Sequence, residues 1–123
     1  MKDEELQQRA HEKGTLLLHE YFAEHGYKTM AVGKVCHNHV PEGSVDMSGG
    51  REPFGPKPKP GFKWKSDKTS TDWAAYPETD QETADYRSAS WAMERLGEKH
   101  DKPFILMAGF LRPHVPWFVP QKW

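Results

Sequence analysis

Hydrophobic positions in this chain fall in short blocks separated by long polar stretches. The first block, TLLLHEYFAEH at 15–25, has the apolar spacing of one helix face. Thr15, the first residue of the block, is a candidate N-cap, and Gly26 follows the block as a candidate left-handed C-cap. The pattern therefore predicts a helix over 15–25. Its predicted stripe consists of Leu17, Leu18, Tyr21 and Phe22.

Two further blocks lack helical spacing and predict strands. KTMAVG at 28–33 indicates a short buried strand, and PFILMAGF at 103–110 is a continuous apolar run. Such a run is typical of a strand that is buried on both faces, as in parallel sheets. We therefore expect these two strands to share a parallel sheet.

The best helix pattern lies between the two strands, at 80–96. Thr79 and Glu82 have the spacing of a capping box, and Gly97 lies just beyond the expected end. A strand, a helix and a second strand predict a crossover connection. The residues at helical spacing are Ala84, Ser88, Trp91, Ala92 and Leu96, of which Trp91 is expected in the core.

We interpret the whole chain, 1–123, as part of one α/β domain in which parallel strands carry flanking helices. Prolines at 41, 53, 56, 58, 60 and 77 exclude a helix from the middle of the chain and disfavour a central strand. The predicted zones are a polar tail or frayed helix at 1–14, a helix and strand at 15–37, a long Pro/Gly-rich loop at 38–78, and a helix, strand and loop at 79–123.

Composition narrows the possible partners. The chain has 123 residues, a net charge of −1 and 36% apolar residues, and its mean hydropathy is −0.89. This charge gives no electrostatic case for a nucleic-acid or membrane partner. No apolar run approaches the ~20 residues of a membrane span, and the charged first residues lack a signal-peptide apolar region. The low apolar content indicates a piece of a larger sheet.

Polar, chemically versatile residues follow each predicted strand. Lys34 and His37 come after the first strand, and Arg112 and His114 come after the second. In open α/β sheets, ligands bind beyond the carboxyl ends of the strands, so we expect these groups to lie close together. An ammonium can hold an oxyanion, and an imidazole can exchange a proton near neutral pH. The set suits a tetrahedral anion such as sulfate or phosphate.

Several of these residues also have ordinary interpretations. Lys34 can be a surface lysine, and His37 and His39 can be loop histidines. With Cys36 the two histidines suggest zinc, but their spacing matches no standard ligand set. A free cysteine such as Cys36 is more often a small buried hydrophobic residue than a reactive thiol. Because it is the single cysteine of the sequence, it cannot form a disulfide within the chain. Arg112 can be a charge in a pocket or a charge on the surface. Trp117 can line a pocket or pack beneath it.

The segment PKPKPGFKWKSDK, at 56–68, supports a different hypothesis. Lysines interleaved with prolines and aromatics can stack on single-stranded nucleic acid or be recognised by a protein partner. In that alternative the chain is a non-enzymatic interaction module. We favour a solvated loop at the edge of a substrate cleft, because the balancing acids elsewhere weaken the case for nucleic acid.

Three stretches of the sequence together resemble the type I sulfatase family, nearest its iduronate-sulfatase and choline-sulfatase-like branch. They are YFAEHGYKTMAVGKVCH, DWAAYPETDQETADYRSASWAMERL and KPFILMAGFLRPHVPWFVPQKW. The resemblance implies an alkaline-phosphatase-like α/β sandwich and sulfuric ester hydrolysis. It implies that Lys34 and His37 lie against the catalytic residue and the sulfate, and that His114 contacts the sulfate ester. Cys36 stands where this branch often has an aromatic residue.

The resemblance also implies features that this chain lacks. The family's nucleophile is a formylglycine made from a C/S-x-P-x-R motif, which the only cysteine does not match, and its calcium-binding aspartates have no counterpart here. We therefore expect an internal piece of a catalytic domain that is inactive alone and needs the remainder of the sulfatase domain. The expected substrate of the intact enzyme is a sulfated small molecule or glycan. Family members are often exported, but this sequence does not fix a location.

Overall fold

The central strand of the molecule is the one that the sequence predicts at 28–33. The computed structural model describes residues 2–58 and 73–123. Strand β1 (Lys28–Gly33) pairs in parallel with β2 (Met47–Ser48) on one side and with β4 (Phe104–Gly109) on the other. Met30 and Ala31 are fully buried at its centre. The predicted α/β architecture with parallel strands is therefore confirmed.

Strand β4 is less buried than its sequence predicts. Its six residues are partly exposed, although the apolar run favoured burial on both faces. The reason is its place in the sheet, because β4 pairs only with β1 among the described residues and thus lies at an edge. Phe110, directly after the strand, is 53% exposed.

The first two helices differ from the prediction at their starts. Residues Asp3–Glu12 form helix α1, in the region where the sequence predicts either a polar tail or a frayed helix. Helix α2 spans Leu18–Glu24 and its N-cap is Leu17, so the expected cap at Thr15 is wrong. Gly26 follows α2 with a φ of +80°, which confirms the predicted left-handed stop.

The buried side of α2 is also not the predicted stripe. Leu18 is 61% exposed and Tyr21 is 50% exposed, whereas His19 is only 2% exposed. Helix α2 contacts β1, and His19 is its buried residue. Of the predicted stripe, Leu18 and Tyr21 therefore face outward, whereas Leu17 and Phe22 are half-buried.

The predicted helix at 80–96 is divided into two pieces. The capping box of Thr79 and Glu82 is present, but it begins a short 3₁₀ helix at Asp80–Glu82. Helix α3 (Ala84–Gly97) starts afterwards, where the Thr83 hydroxyl accepts the N–H of Tyr86. Its inner face is lined by Ala84, Ser88 and Ala92.

Trp91 is half-buried rather than fully in the core. Its indole covers Gly49, where an added Cβ would lie 2.7 Å from the ring. The Arg95 guanidinium also lies over this ring, 5.2 Å from its centroid. Leu96, the last residue of the predicted stripe, is 59% exposed.

The middle of the chain contains more strand than its prolines suggest. Strand β2 extends the main sheet, and β3 (Trp73–Ala75) pairs in parallel with β5 (Trp117–Val119) as a second sheet. Both β2 and β3 fall inside the predicted loop at 38–78. Most of the Lys/Pro/aromatic segment at 56–68 lies outside the described residues, so the predictions made for it stay open. No helix in the described ranges is long and apolar enough to cross a membrane.

Candidate active site at the sheet edge

The ends of β1 and β4 lie side by side, which brings the two candidate loops to one edge. Gly33 is in register with Gly109, and the Lys34 N–H donates to the Gly109 carbonyl at 2.9 Å. An added Cβ on Gly33 would lie 1.9 Å from the Gly109 oxygen. The close approach therefore requires glycine at both positions.

The loop after β1, which we call the GK loop (residues 33–39), folds back on itself. The Lys34 ammonium lies 3.4 Å from the Cys36 carbonyl oxygen and is half-buried. His37 is exposed at the outside of the loop. Lys34 and His37 thus share one short loop, at the place that the sequence predicts.

His39 is a structural bridge rather than a free loop histidine. Its Nδ1 lies 2.7 Å from the Gly33 carbonyl oxygen, and its Nε2 lies 2.7 Å from the Ser48 hydroxyl. One ring thereby ties the two ends of the GK loop together and joins them to β2. Sequence reasoning left His39 open because Ser48 is remote along the chain.

A buried carboxylate holds the same loop from the other side. Asp3, at the first residue of α1, is 3% exposed. It accepts the N–H groups of Asn38 at 3.1 Å and of His39 at 2.8 Å. Burial favours the neutral form of this carboxyl, but these backbone donors favour the charged form and leave the pKa of Asp3 below its ordinary value.

The environment of Cys36 fits packing and not catalysis. The thiol is half-buried, and this burial raises its pKa; the nearby Asp3 charge adds to the effect and Lys34 opposes it. A raised pKa keeps the thiol protonated, whereas nucleophiles and metal ligands need the thiolate. The described residues also contain no group of three or more His, Cys, Asp or Glu side chains that could hold a metal ion.

The loop after β4, which we call the RPH loop (residues 110–116), is held by Asp85 of α3. The Asp85 carboxylate accepts the N–H of Leu111 at 2.7 Å and of Arg112 at 3.0 Å. Nothing in the sequence pattern marked Asp85, because the bonds span 26 and 27 residues.

Arg112 is used to build this loop. Its guanidinium donates to the His114 carbonyl at 2.9 Å and to the Phe118 carbonyl at 3.3 Å. Burial lowers the pKa of Arg112, and the Asp85 charge partly offsets that effect. Trp117 packs on the loop and donates its indole N–H to the Pro113 carbonyl at 2.7 Å.

His114 is exposed, and its imidazole lies against Phe54. The two ring centroids are 5.0 Å apart. Its Nδ1 lies 2.6 Å from the Val115 carbonyl oxygen, so Nδ1 carries the proton in this arrangement. The Nε2 of such a tautomer is an acceptor when neutral and a donor when protonated.

Residues 51–54 connect the two loops. Arg51 donates to the Asn38 side-chain oxygen at 3.2 Å, and its guanidinium lies 5.6 Å from the centre of the Phe54 ring. Phe54 in turn contacts His114. Arg51 is therefore a further cation beside the predicted site that sequence reasoning missed. The joint contact of Lys34, His37 and His114 with one anion stays a prediction.

Comparison with known proteins adds a source of information that is independent of this geometry. The chain is 44% identical to a protein named sulfatase from Formosa agariphila, over 90% of this chain and 24% of that protein. It is 28% identical to human iduronate 2-sulfatase, over 93% of this chain and 23% of that protein. Over nearly its whole length, the chain is similar to sulfatases. No family model matches it.

The chain spans about a quarter of the length of these two relatives, of which 24% and 23% are covered. Both similarities cover nearly the whole chain, at 90% and 93% of its length. The resemblance to sulfatases that the motifs predict is therefore confirmed.

Proposed function

We propose that this chain is a segment of a sulfuric ester hydrolase and supplies its sulfate-binding and acid–base residues. The observation that carries the proposal is the direct backbone pairing of the two strand ends, because the Lys34 N–H bonds to Gly109. This pairing starts both loops from one point on the sheet edge. The similarity to two proteins named as sulfatases supplies the reaction class.

Each loop contributes a different kind of group. Lys34 offers a compact positive charge that would offset the negative charge of a bound sulfate ester. His37 is exposed next to it and would exchange a proton with the attacking group. His114, when protonated, would donate from Nε2 toward the leaving oxygen, since its Nδ1 proton is committed to a backbone carbonyl.

The proposed substrate is a sulfated small molecule or glycan, and the reaction needs groups from outside this chain. No nucleophile motif occurs in the sequence, and the described residues do not fit a calcium site. We therefore derive no step that passes through formylglycine or calcium. The remaining part of a sulfatase domain is the partner that would supply them.

A chimeric enzyme tests this function. This chain replaces the matching segment of the Formosa agariphila protein, and turnover of an aryl sulfate is measured. We expect the chimera to be active and Lys34→Ala or His114→Ala to lower kcat/KM by about 10²–10³-fold. Lys13→Ala, at an exposed position after α1, is the matched control and should keep the activity.

Two results would contradict the proposal. One is a chimera that folds by circular dichroism but has no turnover although the parent enzyme is active. The other is an active chimera in which Lys34→Ala and His114→Ala behave like the Lys13→Ala control.

A further inference from the structure

The two candidate loops share a feature that the sulfatase comparison does not assign. Each is held by one aspartate that accepts two consecutive backbone N–H groups. Asp3 holds Asn38 and His39 of the GK loop, across 35 and 36 residues. Asp85 holds two residues of the RPH loop in the same manner.

Both aspartates sit in the first turn of a helix. Asp3 is the first residue of α1, and Asp85 is the second residue of α3. A negatively charged side chain is favoured there by the positive end of the helix dipole. Bonds from backbone N–H groups to a charged carboxylate are stronger than neutral ones and fix the loop more firmly.

We propose that Asp3 and Asp85 are positioning residues that set the spacing of the two candidate sulfate-binding loops. Neither acts on the sulfate itself, since their carboxylates are occupied by backbone donors. Their effect reaches the ligand through Lys34 and His37 in one loop and through His114 in the other. This inference rests on the function proposed above.

The chain provides a matched control at the opposite end of the sheet. Asp46 accepts the Thr29 N–H at 2.7 Å and the Thr29 hydroxyl at 3.1 Å. Thr29 is the second residue of β1, so this aspartate fixes the amino end of the strand. Loss of the Asp46 side chain removes comparable bonds from the same sheet, and these bonds go to Thr29 and not to either loop.

The test compares Asp3→Ala, Asp85→Ala and Asp46→Ala in the full chain. Inorganic sulfate is titrated against each protein, and the imidazole resonances of His37 and His114 are followed by NMR at constant ionic strength. We expect Asp3→Ala and Asp85→Ala each to raise the sulfate Kd by about tenfold. Asp46→Ala should change the Kd by less than about twofold, since it acts at a distant site.

Conservative variants separate positioning from folding. Asp3→Asn keeps one acceptor oxygen in place, so it should recover part of the affinity that Asp3→Ala loses. It also remains informative if the alanine variant does not fold. Equal weakening by the Asp3, Asp85 and Asp46 variants would overturn the proposal, and so would an unchanged Kd in the first two.

Amide hydrogen exchange without sulfate distinguishes this inference from the proposed function. We expect exchange at Asn38 and His39 to accelerate by about tenfold in Asp3→Ala, and exchange at Arg112 to accelerate only in Asp85→Ala. If the unsubstituted chain binds no sulfate, the proposed sulfate site fails while this loop-specific pattern still supports the two holding aspartates. Acceleration that is uniform across the sheet would overturn their positioning role.

Discussion

Replacing Gly109 by alanine should disrupt the joint between the two loops. An added Cβ would lie 1.9 Å from the Lys34 carbonyl oxygen and 2.7 Å from the Val35 nitrogen. Ordinary contact begins near 3.4 Å, so the Lys34 peptide would have to retreat by about 1.5 Å, the difference between these distances. The obstacle is backbone, which cannot turn aside as a flexible side chain can.

The expected loss follows from this overlap. Overpacking in a tight interior typically costs about 1–3 kcal/mol, and Gly109→Ala should lie at the upper end of that range. Gly33→Ala should lose more, because its φ of +75° adds roughly 1–2 kcal/mol of backbone strain for any residue with a Cβ. The Lys34 ammonium would also shift, so sulfate binding should weaken.

Urea unfolding measures the loss, with Gly97→Ala as the control. Gly97 ends α3 and nothing lies within 4 Å of an added Cβ. Alanine there should be neutral or stabilise the chain by about 0.5–1 kcal/mol, since glycine is a poor helix residue. A Gly109→Ala protein as stable as the Gly97→Ala protein would refute the reasoning about the strand ends.

Three other outcomes are expected. Burial lowers the pKa of His19, and the Glu20 charge partly offsets this effect. Below about pH 6.5, His19 therefore binds a proton more readily in the unfolded chain than in the folded chain. The free energy of unfolding should therefore fall as the pH is lowered through that window. The fall should be smaller in His19→Leu than in the unsubstituted chain, and unchanged in His25→Leu. Urea titrations at several pH values measure it, and the same pH dependence in His19→Leu and the unsubstituted chain would contradict the prediction. Arg112→Lys should lower the free energy of unfolding in urea by about 1–2 kcal/mol, because a lysine ammonium lacks the forked geometry with which the guanidinium donates to two carbonyls. An unchanged unfolding midpoint would show that these guanidinium bonds contribute nothing to stability. The purified chain should release no product from an aryl sulfate, since it has no nucleophile motif; turnover at a rate that scales with chain concentration and survives repurification would show otherwise.

The sequence predicts the main sheet well because local signals agree there. An apolar run bounded by two glycines gives β1 its limits, and Gly26 ends the preceding helix. The sequence also predicts the capping box of Thr79 and Glu82. It does not show that this box begins only a short 3₁₀ helix, because α3 has its own cap at Thr83, four residues later. Burial was less predictable, because the exposure of β4 depends on its neighbours in the sheet.

The sequence predicts which residues of the candidate site carry its chemistry, but not which residues hold its two loops in place. Lys34 and His114 stand out because charged residues follow apolar strands. The contacts that hold their loops come from residues remote along the chain, such as Asp3 and Asp85, whose types are common at helix starts. No local pattern distinguishes an aspartate that holds a loop from one that only faces solvent.

The most direct test of the central claim is whether one sulfate ion reaches both loops. Sulfate is titrated into the chain at fixed ionic strength, and the imidazole resonances of His37 and His114 are recorded together. The account predicts that both shift with a single common midpoint and that Lys34→Ala moves this midpoint to higher sulfate for both. Separate midpoints, or a response from one histidine alone, would contradict a shared oxyanion site.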